Sequence, residues 1–389
     1  MKTFDILLVL SYFRSATAYL AIIRHLAAKY RIGVMLAADD PSLRIKTGEA
    51  EAVFMRLCEQ FGAEIVAPGA AITATLMIVQ QFPYSDETAA LINSRVTARR
   101  RIGLMALALA GLEPHDRFLR QFDIRKVYVP SARFMRFLLE RRGAAERYST
   151  VTIEEVGLPY GVHSVFPEFR ADWLIAAPTL FSFSSEAGKQ AFLETILSRL
   201  AQIGPEDVVA YKPHNGNQLD YFVPRMHYTT AMLFTRVPGG EPLLRRLSQM
   251  GSSQFRGFFS RTLTSALHQK VLKRAVPMVR LTPYADMSLE AFLPGVRKGV
   301  IGGLSNTIWG TLYFRLPFFN CVDPAMVDHG SSSLLNKSSE TLLKLNLEYF
   351  GVDYCRGDLK RGARGEVIVQ DDDRKGDLLH AVQADLMAT

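Results

Sequence analysis

Apolar and polar positions along this chain keep switching between two rhythms. Short, dense apolar runs such as "FDILLVLSY" (Phe4–Tyr12) and "IGVMLAADD" (Ile32–Asp40) end in polar or turn residues and predict buried strands. Between them, Ser15–Tyr30 repeats its apolar residues at helical spacing. A helix near Glu51–Phe61, a short strand "AEIVAP" (Ala63–Pro68) and a helical stretch from Thr88 to Gly111 follow. "RKVYVPS" (Arg125–Ser131) predicts a strand, Ala132–Gly143 a helix and "TVTIEEVG" (Thr150–Gly157) another strand.

The pattern restarts after a stretch punctuated by Pro and Gly, Gly157–Phe169. "WLIAAP" (Trp173–Pro178) predicts a strand and Ser184–Ile203 a helix. "DVVAYKPH" (Asp207–His214), "VPMVRL" (Val276–Leu281), "KGVIGG" (Lys298–Gly303) and "PFFNCVD" (Pro317–Asp323) are further strands, with a helix from about Asn306 to Phe314. From about Leu342 the chain reads first as helix and then as polar loop. Strand–helix alternation of this kind predicts an α/β chain with mainly parallel pairing. The expected organisation is two Rossmann-like domains facing a cleft, residues 1–165 and 166–345, with a helical and loop tail over 346–389.

Composition narrows the picture only a little. The chain has 389 residues, of which 48% are hydrophobic and 22% charged, the balance of a globular protein with two cores. Cys58, Cys321 and Cys355 lie far apart with no CxxC pair, so neither a zinc site nor a disulfide framework is encoded, and a cytoplasmic setting fits. The opening "MKTFDILLVLSYF" reads as a first core strand rather than a signal peptide. The apolar run Ile102–Leu112 is well short of the ~20 residues that span a bilayer. A formal charge of +8 calls for a polyanionic partner or a solvated basic face. The basic residues are not interleaved with a nucleic-acid signature, so no nucleic-acid partner is expected.

In open α/β sheets ligands bind beyond the carboxyl ends of strands, and three strand ends carry chemistry here. The first is Glu154-Glu155, followed by Val156-Gly157. Adjacent strand residues point to opposite faces, so at most one of these carboxylates faces a cleft, where it suits a general base. The second is Lys212-Pro213-His214. Pro213 keeps Lys212 extended, and the imidazole and ammonium suit a departing phosphate. The third is Gly302-Gly303 followed by Ser305-Asn306, where glycines, a hydroxyl and a helix start suit an anion. Each also fits a structural role: a charged strand end, a turn histidine, an ordinary helix cap.

Taken in order, these stretches resemble the bacterial sialyltransferases and polysialyltransferases of the GT-B fold. That superfamily carries an acidic pair with glycine, a Lys-Pro-His-Pro type motif and a paired-hydroxyl motif after a glycine-bearing strand. The resemblance covers about 125–325, and Tyr284–Pro294 is similar to the segment that carries nucleotide contacts. It implies an inverting, metal-independent glycosyltransferase with no cofactor beyond a CMP-activated donor. The acidic residue would deprotonate the acceptor, His214 would protonate or stabilise the departing CMP, and Ser305 with its neighbours would hold the phosphate. The register Glu155-Val156-Gly157 makes Glu155 the base, whereas an inserted residue makes it Glu154. Asn215 and Asn306 depart from the pattern, which leaves the donor open among sialic, legionaminic and pseudaminic acids and Kdo.

The implied partners are the nucleotide-sugar donor and a glycan or lipid-linked acceptor of a surface polysaccharide or glycoconjugate. The basic, Phe-rich segment "SSQFRGFFSRTLTSALHQKVLKR" (Ser252–Arg274) suits an acidic glycan, a peripheral position on the inner membrane face, or packing on its own domain. Two other enzyme readings stay open, a nucleotide-sugar epimerase and a glycerophosphate transferase. So does a catalytically silent glycan-binding scaffold.

Overall fold

The computed structural model describes residues 1–11, 16–37, 54–82, 84–105, 113–157, 169–176, 186–212, 292–302, 314–321 and 377–388, with isolated positions between 270 and 349. The chain is α/β and divides into two compact units. Unit 1 is Met1–Asp40, Ala50–Val165 and Gln370–Thr389; unit 2 is Pro41–Glu49 and Phe166–Val369. Among the described residues no helix is long and apolar enough to cross a membrane.

Unit 1 is built on a seven-stranded, all-parallel sheet. Its strands are β1 (Lys2–Leu10), β2 (Ile32–Leu36), β3 (Glu64–Val66), β4 (Ile72–Gln80), β5 (Val96–Leu104), β6 (Lys126–Val129) and β7 (Thr152–Glu155), in the order β3-β2-β1-β4-β5-β6-β7. The doubly wound order reverses direction between β1 and β4. Ile6 to Leu10 of β1 are all buried, as a strand covered on both faces requires. The helices are α1 (Ala16–Leu26), α2 (54–60), α3 (Asp86–Arg95), α4 (Glu113–Gln121) and α5 (Ala132–Arg141). Helix α1 buries Tyr19, Ile22, Ile23 and Leu26, one stripe at helical spacing.

Two central strands depart from the expectation. Strand β4 occupies a stretch to which the apolar pattern assigns no element, and β5 lies inside the expected helix Thr88–Gly111. The reason is in the β5 sequence "VTARRRIGL", whose three consecutive arginines hide the period-two alternation. Arg100 turns to one face and bonds Asp385, while Arg101 turns to the other and bonds Asn93 Oδ1 (2.7 Å) and Phe122 O (3.2 Å). Both faces of a central strand therefore hold a guanidinium, each with its own partners.

The chain's last helix, α7 (Leu378–Met387), belongs to unit 1 and packs on α1 and β4. The polar-loop reading of the tail does not foresee it. Asp377 caps it by accepting from the main-chain N–H groups of Leu379 and His380. From its last turn Asp385 reaches back across the sheet. Its carboxylate accepts from the Tyr128 hydroxyl, Lys126 Nζ (2.6 Å) and Arg100 Nη1 (3.2 Å), and Glu154 joins by pairing with Lys126. Burial first, and then the bond to Asp385, raise the Tyr128 phenol far above its ordinary value. For Lys126, desolvation opposes the charge, but Asp385 and Glu154 together outweigh it and raise the ammonium.

Unit 2 carries a five-stranded parallel sheet, ordered β10-β9-β8-β11-β12. The strands are β8 (Ala171–Ala176), β9 (Val209–Lys212), β10 (Val276–Pro277), β11 (Val296–Gly302) and β12 (Phe318–Asn320), with α6 (Glu186–Leu200) after β8. Here the order reverses between β8 and β11. The amino ends of its strands are tied by Asp172, which accepts from Val208 N and pairs with Arg297, and by Asp207, which accepts from Trp173 Nε1 and Lys298.

Because Asp385 pairs with two cations and accepts from a buried phenol at once, Asp385→Ala leaves Arg100 and Tyr128 without this partner and Lys126 with Glu154 alone. The expected result is a loss of roughly 3 kcal/mol in unfolding free energy, read as an earlier urea midpoint. Tyr128→Phe should cost about 1 kcal/mol. A wild-type midpoint in Asp385→Ala would show that α7 does not depend on this carboxylate.

Candidate functional site

The acidic pair sits on β7, the edge strand of unit 1, and the two carboxylates go to opposite faces. Glu154 turns toward the α7 side and pairs with Lys126. Glu155 turns toward α5, and its Oε2 accepts the main-chain N–H of Ala132 (2.8 Å), an otherwise orphaned donor in the first turn of that helix. Ser131 caps the same helix by accepting from Phe134 N (3.2 Å). The strand runs on through buried Val156 to Gly157, whose φ of 66° is the left-handed region that glycine enters without a Cβ penalty. At the carboxyl end of this strand, Glu154 is thus engaged by Lys126 and Glu155 by a helix N–H.

A second polar group, which the sequence reading does not single out, gathers where the strand order of unit 1 reverses. Ser11 follows β1, Gln80 ends β4 and Gln81 follows it, and all three are buried. The Ser11 main-chain N–H donates to Gln80 Oε1 (3.2 Å), and among the described residues the Ser11 hydroxyl has no partner. Tyr19 spans the same join, its hydroxyl lying 3.0 Å from Val9 O and 3.3 Å from Ile78 O. Gln81 Nε2 donates to Asp116 Oδ1 (3.1 Å), which also accepts from the Tyr148 hydroxyl, while Oδ2 pairs with Arg147 (3.1 Å). The signal available in the sequence is "IVQQF", two amides closing an apolar strand.

In unit 2, two of the expected residues come into one row. Ala176 of β8 pairs with Lys212 of β9 on one side and Gly302 of β11 on the other. Lys212 and Gly302 therefore end strands two places apart, roughly 10 Å, across the point where the strand order reverses. Asn320 extends the row beyond Gly302, and both Lys212 and Asn320 are buried. Gly302 has a packing reason of its own: an added Cβ would stand 2.4 Å from Ala176 O. His214, Gly303, Ser305, Asn306 and Asn215 lie outside the described residues. So does most of Tyr284–Pro294, in which Leu289, Phe292 and Leu293 are core side chains. Of the basic segment 252–274, Arg274 donates to Gly204 O (2.7 Å).

The chemistry on offer is a carboxylate at the end of the unit 1 sheet and a buried cation with close-set main chain at the end of the unit 2 sheet. No protein-family model and no curated protein sequence matches the chain.

Burial is the strongest influence on Asp116, and it lifts the carboxyl above its ordinary 3.8 despite Tyr148 and Arg147. The folded chain therefore holds this proton more tightly than the unfolded chain does. Stability it supplies at acid pH is lost as pH climbs through the ordinary value toward the raised one. Asp116→Asn removes that dependence. Wild-type stability relative to the variant should be highest at the acid end and fall with rising pH in thermal melts; parallel curves would contradict this account of Asp116.

Proposed function

We propose that this chain is an inverting, metal-independent glycosyltransferase of the GT-B type. It moves a nonulosonic acid, sialic acid or a relative, from a CMP-activated donor to a glycan of a surface polysaccharide or glycoconjugate. The observation that carries the reading is the row Lys212–Ala176–Gly302, which joins two of the three motifs at the carboxyl end of one parallel sheet. Anion-binding groups are expected at such a reversal point. Tandem parallel sheets with an acidic pair on the first and these motifs on the second further support it.

In this reading Glu155 takes the proton of the acceptor hydroxyl, whose oxygen forms the new bond to the anomeric carbon. The bond from that carbon to the CMP phosphate breaks, and its electron pair leaves on the phosphate. His214 supplies a proton or hydrogen bond there, Lys212 a positive charge, and Gly303, Ser305 and Asn306 the phosphate seat. Negative charge develops on phosphate and positive charge on the sugar, so donors belong on one side and a carboxylate on the other. Glu155 rather than Glu154 is the base, because Glu154 is paired with Lys126. The bond from Ala132 N to Glu155 also favours a second reading, a glycan-binding scaffold in which this carboxylate only caps a helix.

The test is CMP release from cytidylated nonulosonic acids, with thermal shifts across a nucleotide panel. CMP at a hundredfold excess over its Kd should stabilise the chain by roughly 2.7 kcal/mol, more than uridine or guanosine nucleotides do. His214→Ala and Glu155→Gln should each slow release by about a hundredfold or more, with Glu154→Gln near wild type. Glycan binding without turnover, unchanged in all three variants, would establish the scaffold instead.

A further inference from the structure

Strand β5 has nine residues and its neighbour β6 four, and their pairing begins only at Ile102 opposite Lys126. Below that point β5 is paired with β4 alone, and the missing partner leaves a notch at the amino end of the unit 1 sheet. The notch is a pocket of about 410 Å³, within the range of small-molecule sites. Arg99, Arg100 and Arg101 line it from β5, Arg125 from the turn before β6 and Lys126 from the first position of β6.

Three carboxylates meet these five cations, one of them Glu154, which pairs with Lys126 from β7. Asp385 is shared between Arg100 and Lys126 and is consumed by them. Asp123 pairs with Arg125 at 3.0 Å, with both side chains about 70% exposed, a pair of little strength that a stronger anion displaces. Among the described residues Arg101 bonds the neutral oxygens of Asn93 and Phe122 and pairs with no carboxylate. Arg99 is exposed and makes no hydrogen bond or ion pair among the described residues. The remaining lining, Ala98 and Ile102, gives no aromatic face on which a base could stack.

We infer that this notch is a binding site for a compact polyanion, a ligand carrying two or more linked phosphates, held by the guanidinium groups of Arg99, Arg101 and Arg125. Planar guanidinium forks match phosphate oxygens two at a time, and several around one pocket select for charge density rather than for a particular organic group. The site lies at the amino end of the strands, opposite the end that carries Glu155, and does not depend on the transferase reading.

Inorganic tripolyphosphate is the probe, titrated calorimetrically into the full chain at two salt concentrations. One site per chain is expected, weakening as salt rises. The double variant Arg99→Ala/Arg125→Ala changes exposed side chains only, and it should lose at least about tenfold in affinity. Lys29→Ala, an exposed cation elsewhere on unit 1, should bind as wild type does. With saturating CMP present to fill any cytidine site, CTP and GTP should bind this site alike, since nothing in it reads a base. The double variant should keep its CMP release if the transferase reading holds, and His214→Ala should keep its tripolyphosphate binding whether or not it holds. No binding at millimolar probe, equal loss in Lys29→Ala, an undiminished double variant, a marked preference between the two nucleotides, or capture of an acidic peptide in place of tripolyphosphate would each overturn the inference.

Discussion

Unit 1 depends on one carboxylate that arrives from the far end of the chain. Asp385 meets Lys126 across 259 positions of sequence, and the same group holds Arg100 and Tyr128. Without it, a buried phenol and two partly exposed cations would lose the acceptor they share, and the phenol would be left as a buried donor without its partner. The cluster also reaches the acidic pair, because Lys126 binds Glu154 as well as Asp385.

The two sheets follow the same physical plan. In each, the strand order reverses beside the first strand of the unit, and polar side chains gather at the strand ends beside that reversal. In unit 1 these are Ser11, Gln80 and Gln81, and in unit 2 Lys212 and Asn320. Parallel sheets bury both faces, so polar groups concentrate at the ends, where strands leave the sheet and helices begin. Glu155 follows the same logic, since its carboxylate meets an N–H that the start of α5 would otherwise leave unsatisfied.

Much of the strand pattern was legible because buried parallel strands are short apolar runs closed by turn residues. Strands β1, β2 and β6 to β9 follow that rule. Strand β5 does not, because consecutive arginines mask its alternation, and their partners Asn93, Phe122 and Asp385 come from other elements. The acidic pair was legible as a feature, but the different partners of Glu154 and Glu155 were not. They turn on which face each occupies and on Lys126, whose own environment is set by a helix more than two hundred residues away. Lys212 and Gly302 were legible separately; that both flank Ala176 is a matter of strand order, which spacing does not carry. Asp116 was invisible, since its meaning comes from Gln81, Tyr148 and Arg147.

The return of the C-terminal helix to unit 1 sets an order in time. On the ribosome, every residue of unit 2 has been made before Asp385 exists. Unit 1, whose first strands are made earliest, is therefore completed only after unit 2, and until then Arg100 and Tyr128 lack their shared carboxylate while Lys126 has Glu154 alone. Domains usually mature in the order in which they are made. Here α7 acts as a latch on unit 1, so a nascent chain interrupted before Asp377 lacks the carboxylate that Arg100, Lys126 and Tyr128 share.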